Sequence, residues 1–282
     1  MNILVLGATG LIGNSIYKHL RKKYCVFGTF NDKKKIMKIK YKKNKLFHFD
    51  ALNYKKLNYI LDKTNPEIVI NCIGVTKHIK GLNKKKFLQI NSLFPHYAKK
   101  ISNNKLARFI QISTDCVFNG KKGNYSEKSK PNAVDIYGKS KALGEINDKI
   151  NLTIRTSTIG HELLTNYGLL NWFFRQESFC EGYYKAIFNG FPTFYFAKIL
   201  EKILLKQITG ILHVSGIKIN KYSLLQKIKK IYNKKLVIRK NTTFKIDRTL
   251  NNKLFKSYFP KEKKSWNYLI NEMKKEHGKN TS

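Results

Sequence analysis

The sequence predicts an α/β fold, a doubly wound parallel sheet covered by helices on both faces, with a smaller C-terminal lobe. Three observations predict it. An apolar run at the N-terminus leads into a glycine-rich turn, strand-like and helical stretches then alternate as far as residue 156, and the alternation loosens afterwards. We therefore expect a sheet domain of residues 1–156 and a substrate-binding lobe of residues 157–282, which returns one strand to the sheet near residues 211–214.

The first predicted strand is residues 2–6, a short apolar run typical of a strand buried on both faces. The turn after it, residues 7–13, reads GATGLIG, with glycines at every third position. Gly7 permits a tight turn, Gly10 lets the backbone approach a pyrophosphate, and Gly13 allows close packing of helix on strand. The following helix offers free N–H groups to that phosphate. A dinucleotide-binding turn is therefore predicted here.

The remaining elements of the sheet domain follow in alternation. Further strands are predicted at residues 25–30, 46–49, 68–72, 108–113 and 152–155, and helices at residues 52–61, 85–101 and around residues 137–141. In such sheets ligands bind beyond the carboxyl ends of the strands. Residues that follow those ends should converge on one crevice: Gly7, Asp50, Gly74, Thr114 and Thr156.

The second lobe is predicted to be mainly helical. Helices are expected at residues 163–179, 193–205 and 221–232, a strand at residues 211–214, and a surface helix after residue 262. Two aromatic stretches, residues 172–174 and 183–188, fit core packing of this lobe better than stacking on a nucleotide base.

The chain is strongly basic, with 56 Lys and Arg against 17 Asp and Glu in 282 residues and a formal net charge of +39. Such charge fits a polyanion-binding protein or a solvated lysine-rich surface. The second interpretation is favoured because the lysines are spread from Lys18 to Lys279 and only six residues are arginine. We expect no specific nucleic-acid partner.

The cysteine pattern and the hydropathy exclude three classes of protein: metal-binding, disulfide-stabilised and membrane-spanning. The four cysteines are far apart and form no C-x-x-C pair, so neither a metal site nor a disulfide framework is expected. No apolar run approaches the roughly 18 residues that span a bilayer. The N-terminal segment lacks the basic region of a signal peptide. The sequence therefore predicts a cytoplasmic protein without a membrane partner.

A candidate catalytic pair lies at Tyr137 and Lys141, four residues apart on a predicted helix and hence on one face of it. A nearby ammonium favours the phenolate, so Lys141 should lower the pKa of Tyr137 from about 10. A phenol tuned in this way can exchange a proton with a carbonyl or an alcohol. Thr114, at the end of a predicted strand, could hydrogen-bond the same carbonyl oxygen or merely its own loop.

Together these motifs resemble the extended short-chain dehydrogenase/reductase family, and within it the dTDP-4-dehydrorhamnose reductase branch. The resemblance covers about residues 1–160 and is looser beyond them, as at residues 213–216 and 247–248. The segments that carry it are the glycine turn, Asn71-Cys72-Ile73-Gly74, Ser113-Thr114-Asp115 with Val117-Phe118, Tyr137 with Lys141, and Arg155-Thr156-Ser157.

The resemblance implies a Rossmann-type sheet and hydride transfer from NADPH, or from NADH as the alternative, to the C4 ketone of a nucleotide-linked 6-deoxy sugar. Tyr137 would protonate the oxygen, Lys141 would hold the nicotinamide ribose and depress the pKa of Tyr137, and Thr114 would polarise the carbonyl. NADPH is favoured because Asp32 lies slightly late for a ribose ligand and three lysines follow it. The product would be a precursor of a surface polysaccharide.

One member of the implied cofactor site, Asn91, has an alternative interpretation. Asp50 and Ala51 would border the adenine, whereas Asn91 fits a family asparagine or simple helix packing equally well. The full implied set is Gly7, Thr9, Gly10, Leu11, Ile12, Gly13, Asn31, Asp50, Ala51, Cys72, Ile73, Gly74, Asn91, Ser113, Tyr137 and Lys141.

The implied substrate site departs from the family pattern at two positions. Cys116 stands where this branch usually has Tyr, and residues 156–161 read TSTIGH where it usually has Thr-Ser-Trp-Val-Tyr-Gly. Both positions should border the sugar, so the loss of two aromatic residues argues against rhamnose as the sugar, although the hydride chemistry is untouched. Another amino or deoxy hexose on a UDP or dTDP carrier is the alternative. The candidate substrate residues are Thr114, Asp115, Cys116, Thr158, His161, Arg175 and Lys185, of which His161 fits plain polar surface better.

Two other functions share this fold. One is a nucleotide-sugar epimerase or dehydratase that retains NAD, and the other is a regulatory subunit of the methionine adenosyltransferase type, which acts by binding a partner. The complete Thr114, Tyr137 and Lys141 set favours the reductase. A nucleotide sugar is the expected partner, and the choice between monomer and homodimer stays open.

Overall fold

The computed structural model describes residues 1–37, 39, 44–76, 81, 83–165 and 167–281. Its strands are β1 (Asn2–Leu6), β2 (Cys25–Phe30), β3 (Leu46–His48), β4 (Ile68–Asn71), β5 (Arg108–Thr114), β6 (Leu152–Thr156), β7 (Thr158–Ile159), β8 (Phe179–Phe188), β9 (Phe191–Pro192), β10 (Gly210–Val214), β11 (Ile219–Asn220) and β12 (Val237–Asp247). Its α-helices are α1 (Leu11–Leu20), α2 (Lys33–Met37), α3 (Tyr54–Thr64), α4 (Lys84–Leu88), α5 (Phe94–Asn104), α6 (Ile136–Leu143), α7 (Leu169–Phe174), α8 (Thr193–Leu204), α9 (Lys221–Tyr232), α10 (Lys253–Tyr258) and α11 (Trp266–Thr281). A π turn at Gln89–Leu93 joins α4 to α5, and a 3-10 turn at Asp115–Val117 follows β5.

A seven-stranded sheet organises the molecule, with strand order β3-β2-β1-β4-β5-β6-β10. All six pairings in it are parallel. The strand order reverses between β1 and β4, and the crevice at such a switch point is where ligands bind in open α/β sheets. The predicted Rossmann-type α/β fold is therefore confirmed, including the return of residues 211–214 to the sheet as part of β10.

The alternation of β1 explains why the sheet is buried on both faces. Ile3 and Val5 contribute to one core cluster, which includes α1 and α8, whereas Leu4 and Leu6 contribute to the other, which includes α3 and α5. All four side chains have no exposed surface. A strand covered on both faces by helices requires such an uninterrupted apolar run.

The helix α8 belongs to the sheet domain although it follows residue 156. It packs on α1, where the hydroxyl of Ser15 donates to that of Thr193 at 2.8 Å. Glu201 contacts both His19, at 2.5 Å, and Lys23, at 2.8 Å. The segment after residue 156 thus contributes both α8 and β10 to the sheet domain.

The second lobe contains more strand than the sequence predicts. Its three-stranded sheet has the order β11-β8-β12, and β8 and β12 run parallel. The predicted helix over residues 163–179 is wrong outside α7. The carboxylate of Glu162 accepts from the hydroxyl of Thr165 and the N–H of Gly168, both at 2.9 Å, and the described residues 163–165, 167 and 168 form a loop before α7. Phe179 begins β8 instead of ending a helix.

The surface helix predicted after residue 262 is confirmed as α11. Within the described ranges, none of the helices combines the length and apolar character that a bilayer crossing needs.

Candidate active site

The glycine turn between β1 and α1 is built as the sequence predicts. Gly7 has a φ of 80°, and its N–H donates to the hydroxyl of Thr29 on β2 at 2.9 Å. A Cβ at Gly13 would lie 2.2 Å from the carbonyl oxygen of Gly7, so only glycine lets α1 approach the turn this closely. Gly10 precedes α1 and provides no side-chain cap. The first N–H groups of α1 therefore stay available to an anion.

The other predicted members of this turn lie beside those N–H groups. Thr9 is buried, and Leu11 and Ile12 are half-buried at the start of α1. Together with the glycines they form the floor of the crevice at the switch point between β1 and β4.

The predicted adenine-side residues lie at the ends of β2 and β3. Asn31 and Asp50 are exposed, whereas Ala51 is buried. One oxygen of Asp50 accepts from the N–H of Leu52 at 2.9 Å. Asp32 likewise accepts from the N–H of Lys34 at 2.8 Å, at the beginning of α2. The Asp32 carboxylate is thus engaged with its own turn.

The loop after β4 lies beside Lys141, the candidate catalytic lysine. Buried Asn71 holds the loop, because its side-chain oxygen accepts from the N–H of Ile73 at 3.0 Å. Half-buried Cys72 has its thiol pKa raised to about 12 by burial, against the nearby charge of Lys141. A Cβ at Gly74 would lie 3.8 Å from Nζ of Lys141. The predicted ribose turn and the predicted catalytic lysine are therefore neighbours.

The helix α6, which carries Tyr137 and Lys141, is fixed against the turn after β5. Its N-cap is Asp135, whose carboxylate accepts from the N–H of Gly138 at 2.7 Å. A Cβ at Gly138 would lie only 2.2 Å from the carbonyl oxygen of Cys116. This close approach brings the Thr114 hydroxyl near enough to the phenol of Tyr137 to affect its pKa. The structure thus brings the predicted catalytic residues together.

The lysine of this set is buried and weakly basic. Lys141 is only 6% exposed, and its Nζ donates to the carbonyl oxygen of Ile112 at 2.8 Å. Burial lowers its pKa to about 8, while the charge of Glu145 and the nearby Cys72 oppose that shift. The ammonium is therefore poised to lose its proton slightly above neutral pH.

The expected lowering of the Tyr137 pKa is wrong for this structure. Burial of the phenol raises the pKa above its usual value of 10.0, and Cys116 acts in the same direction. The nearby Thr114 hydroxyl opposes the rise, and Lys141 is not among the main causes of the shift. The phenol therefore holds its proton at neutral pH, which suits a proton donor better than a base.

The turn after β5 presents polar groups beside the phenol. The hydroxyl of Thr114 accepts from the N–H of Cys116 and donates to the Asp115 carboxylate, both at 3.1 Å. Burial raises the pKa of Asp115, while the charges of Arg248 and Lys221 lower it. The thiol of Cys116, whose pKa burial raises to about 12, lies 3.7 Å from Nη1 of Arg248.

Arg248 and Lys221 are site residues that the sequence did not single out. Arg248 follows β12, donates from Nε to the carbonyl oxygen of Phe118 at 2.8 Å, and is 4.0 Å from Asp135. The only signal was the loose family similarity at residues 247–248, since β12 itself was not predicted. Lys221 begins α9, which was predicted as an amphipathic helix without a link to the site.

The hydroxyl of Ser113, a predicted cofactor-binding residue, belongs to a buried hydrogen-bond network. The hydroxyl donates to Glu145 at 2.7 Å. The same carboxylate receives two bonds from Arg155, at 2.8 and 2.7 Å. The side chains of Arg155 and Glu145 are only 2% and 6% exposed. This pair ties the end of α6 to β5 and β6 beneath the site.

Asn91, for which helix packing was the alternative, also contacts protein. Its carboxamide bonds both backbone polar groups of Val75 and the hydroxyl of Ser140. Both of its N–H bonds are therefore already engaged with the protein.

His161 is not brought to the catalytic set. Its ring stacks on that of His277 with 3.6 Å between centroids, and its Nε2 lies 3.0 Å from the hydroxyl of Tyr232. Burial, with His277, lowers its pKa to about 3. Tyr232 ends α9 whereas Lys221 begins it, and these positions are about 16 Å apart at 1.5 Å per residue. The charge of Lys221 lowers the pKa of Asp115, so the beginning of α9 lies on the side of Thr114 and Tyr137. His161 contacts the other end of α9 and therefore lies away from them.

The remaining substrate candidates are scattered. Thr158 is half-buried on β7, two residues after β6. Arg175 is exposed after α7, and Lys185 is exposed on β8 opposite Lys245 of β12. Among the described residues, none of these three forms a hydrogen bond or ion pair with Thr114, Tyr137 or Lys141. Within the same ranges, no group of three or more His, Cys, Asp or Glu side chains could hold a metal ion.

The aromatic stretches divide between core and surface. Phe173 and Phe188 are buried, as expected for core packing of the lobe. Tyr183 and Tyr184, in contrast, are 36% and 43% exposed on β8.

Comparison with known proteins identifies a family. A family model described as "RmlD substrate binding domain" matches residues 1–168. The probable low-salt glycan biosynthesis reductase Agl14 of Haloferax volcanii is 28% identical over 149 residues, 51% of this chain and 48% of that protein. The spore coat polysaccharide biosynthesis protein SpsK of Bacillus subtilis is 31% identical over 160 residues, 56% and 50% of the two chains. Methionine adenosyltransferase 2 subunit beta of Danio rerio is 27% identical over 151 residues, 51% and 42% of the two chains. The matched segment thus spans about half the length of these relatives.

Solved structures resemble the whole chain. A hypothetical dTDP-4-dehydrorhamnose reductase from Sulfolobus tokodaii superposes with a TM-score of 0.76 at 24% identity, covering 91% of this chain and 94% of that one. The dTDP-4-dehydrorhamnose reductase of Bacillus anthracis, in complex with NADP, gives 0.79 at 19% identity and covers 97% and 98%. At these identities the likeness shows the fold, which extends over both lobes.

Proposed function

The chain belongs to the family described as RmlD substrate binding domain, and from that premise we propose that it is an NAD(P)H-dependent reductase of a nucleotide-linked 4-keto-6-deoxy sugar. One observation carries the proposal. Thr114, Tyr137 and Lys141 lie together at the carboxyl edge of the sheet, beside a glycine turn whose helix N-terminus is free for a phosphate.

The residues around the crevice fit a dinucleotide. The glycine turn and the first N–H groups of α1 would hold the pyrophosphate. Asp50 and Ala51 would border the adenine, residues 72–74 the adjoining ribose, and Lys141 the nicotinamide ribose. When bound, the cofactor supplies the hydride.

The chain's own part in the reaction is proton transfer and orientation. Because burial keeps the phenol of Tyr137 protonated, it can donate its proton to the ketone oxygen as negative charge develops there. The hydroxyl of Thr114, which lies near that phenol and donates to Asp115 in this structure, can turn to the same oxygen and hold it. Both residues lie on rigid elements, the end of β5 and the first turn of α6.

The charge at the end of β2 favours NADPH. One oxygen of the Asp32 carboxylate is engaged by the backbone of α2, which leaves it fewer acceptor sites for a ribose 2′-hydroxyl. Lys33 and Lys34 are exposed beside it and would attract a 2′-phosphate. The related Bacillus anthracis reductase binds NADP, whereas a dTDP-glucose 4,6-dehydratase of the same fold binds NAD. NADH is the alternative cofactor.

The sugar site favours a substrate other than the usual one of this branch. Cys116 stands where this branch usually has an aromatic residue, and its thiol lies 3.7 Å from Nη1 of Arg248, so the site is more polar there. We propose a deoxy or amino hexose on a UDP or dTDP carrier. The names of the Haloferax volcanii and Bacillus subtilis relatives, a glycan and a polysaccharide biosynthesis protein, support a place in glycan precursor synthesis.

The purified full chain tests this proposal directly. It should oxidise NADPH when given a dTDP- or UDP-linked 4-keto-6-deoxy sugar, and NMR of the product should show a secondary alcohol at C4. Absence of oxidation with both carriers and both cofactors would contradict the proposal. Retention of NAD through purification, without net cofactor consumption, would instead identify an epimerase or dehydratase.

The methionine adenosyltransferase relative gives the second candidate. Its match over half of this chain supports a regulatory subunit, which would bind a partner enzyme and reduce no sugar. A changed rate of a purified methionine adenosyltransferase on adding this chain, with no activity on any sugar nucleotide, would favour that function.

A further inference from the structure

Ser140 lies between Tyr137 and Lys141 on α6 and has no exposed surface. Its hydroxyl donates to the carbonyl oxygen of Tyr137 at 2.9 Å and accepts from Nδ2 of Asn91 at 3.0 Å. Its own carbonyl oxygen accepts from the hydroxyl of Ser92 at 2.8 Å. One residue of the candidate catalytic helix is therefore held by two consecutive side chains of a neighbouring helix.

Asn91 extends this contact to the loop after β4. Its side-chain oxygen accepts from the N–H of Val75 at 2.9 Å, and Nδ2 donates to the carbonyl oxygen of Val75 at 3.0 Å as well as to Ser140. Both N–H bonds of the carboxamide are thus engaged, and Asn91 has no exposed surface. A Cβ at Gly74 would lie 3.3 Å from its oxygen. The loop at residues 74–75 and α6 are joined through one fully buried amide.

The π turn is the local structure that makes this double contact. It lies between α4 and α5 and holds both Asn91 and Ser92. A π turn lodges an additional residue in a helix and is frequent at functional sites. The helices also approach closely, since a Cβ at Gly144 would lie 1.9 Å from the carbonyl oxygen of Asn91. Small residues on α6 are therefore required along this contact.

We propose that Ser140 is a positioning residue that fixes Lys141 relative to the loop at residues 74–75, where the proposed function places the cofactor ribose. Lys141 follows Ser140 directly, and its Nζ would be 3.8 Å from a Cβ on Gly74. Loss of the Ser140 hydroxyl leaves a buried N–H of Asn91 without its acceptor and removes one of the bonds that hold α6. The damage falls on the cofactor side of the site and leaves the sugar side intact.

The test is Ser140→Ala in the full chain, with Ser102→Ala as its matched control. Ser102 is equally buried in a helix and donates to the carbonyl oxygen of Ala98 at 2.7 Å, remote from the site residues. The dissociation constant of NADPH is measured by fluorescence, and kcat and the KM for the sugar nucleotide by NADPH oxidation. We expect Ser140→Ala to weaken NADPH binding at least fivefold and to lower kcat about tenfold, with the sugar KM within twofold of wild type. Ser102→Ala should change none of these by more than twofold.

Two further measurements separate positioning from general destabilisation. Ser140→Thr keeps a hydroxyl and should recover at least half of the lost NADPH affinity. The effects of Asn91→Ala and Ser140→Ala on that affinity should be non-additive, because each variant breaks the same bond. Additive effects, equal losses in Ser102→Ala, or wild-type NADPH affinity in Ser140→Ala would overturn the proposal.

The binding assay also keeps this inference apart from the proposed function. A chain that binds NADPH but reduces no sugar nucleotide would refute the proposed function, while the affinity ratio of Ser140→Ala to wild type would still decide the positioning role. A chain that binds neither NADPH nor NADH would overturn both.

Discussion

Gly138→Ala is the substitution to which the site should respond most sharply. The added Cβ would lie 2.2 Å from the carbonyl oxygen of Cys116 and 2.4 Å from Cβ of Ala133. The first of these neighbours is backbone in the turn that follows Thr114, so it cannot rotate out of the way as a side chain would. Either α6 or the turn must shift.

The required shift sets the size of the effect. Ordinary contacts of a Cβ begin at 3.4 Å, so the two elements must separate by about 1 Å. Overpacking of this kind destabilises a fold by about 1–3 kcal/mol. A displacement of about 1 Å between reacting groups lowers catalysis by about 10²-fold. We therefore expect a folded variant whose kcat is lower by about two orders of magnitude, because Tyr137 and Thr114 move apart.

The assay measures NADPH oxidation and urea unfolding on the same preparations. Lys139→Ala is the control, since Lys139 is exposed on the same helix and the change leaves helix propensity intact. The control should keep kcat within twofold of wild type. A Gly138→Ala protein that retained more than a third of the wild-type kcat would refute the argument that this close approach aligns the site.

Three further predictions concern pH and capping. Because burial lowers the pKa of Lys141 to about 8, kcat/KM should fall as pH rises through that value, and in Lys141→Arg the fall should move to higher pH; a pH profile of kcat/KM measures this. The folded-state pKa of His161, about 3, lies below its ordinary 6.5, so the unfolded chain binds more protons between these values and stability falls as pH falls through that window. Between pH 7 and pH 5.5 the titration of His161 should lower the free energy of unfolding by about 1 kcal/mol. In urea titrations, the decrease over this pH range should be smaller by about 1 kcal/mol in His161→Phe than in wild type. Asp135→Ala removes the N-cap of α6 and should cost about 1 kcal/mol of unfolding free energy, whereas Asp135→Asn should cost less; equal losses in the two variants would contradict the capping role.

The sheet domain could be predicted from sequence because its signals are local. The bounds of β1 and β2 agree with the predicted runs, and the glycine turn, Thr114, Tyr137 and Lys141 lie where strand ends and helix spacing placed them. Period-2 and period-3.6 patterns and glycine spacing each act over a few residues. Such signals fix which residues reach the carboxyl edge of a parallel sheet.

The second lobe could not be predicted in the same way. The pairing of β8 with β12 joins residues more than 50 positions apart, and β12 carries exposed polar residues along most of its length, so no apolar period marks it. Arg248 reaches the site only because that strand ends beside Cys116. The prediction of a helix over residues 163–179 is wrong before α7 because the carboxylate of Glu162 accepts hydrogen bonds from Thr165 and Gly168.

The pKa shifts and the burial of the site residues could not be predicted from the sequence either, because they depend on contacts between elements that are distant in the chain. The spacing of Tyr137 and Lys141 predicted a lowered phenol pKa, but the structure directs Nζ of Lys141 to the carbonyl oxygen of Ile112 and buries the phenol, which raises its pKa. The partners of Ser113 and Asn91 were likewise invisible in the sequence, because Glu145 and Ser140 come from another element.

The most direct test of the account is the rate of NADPH oxidation in a single turnover by Tyr137→Phe, with wild type as reference and NADPH affinity measured in parallel. Removal of a general acid lowers rates by about 10²–10⁴-fold. The account predicts a loss of at least 10²-fold with NADPH affinity unchanged within threefold, because the phenol hydroxyl is the proton donor and the ring remains in place. A Tyr137→Phe protein that reduces the sugar nucleotide as fast as wild type would contradict it.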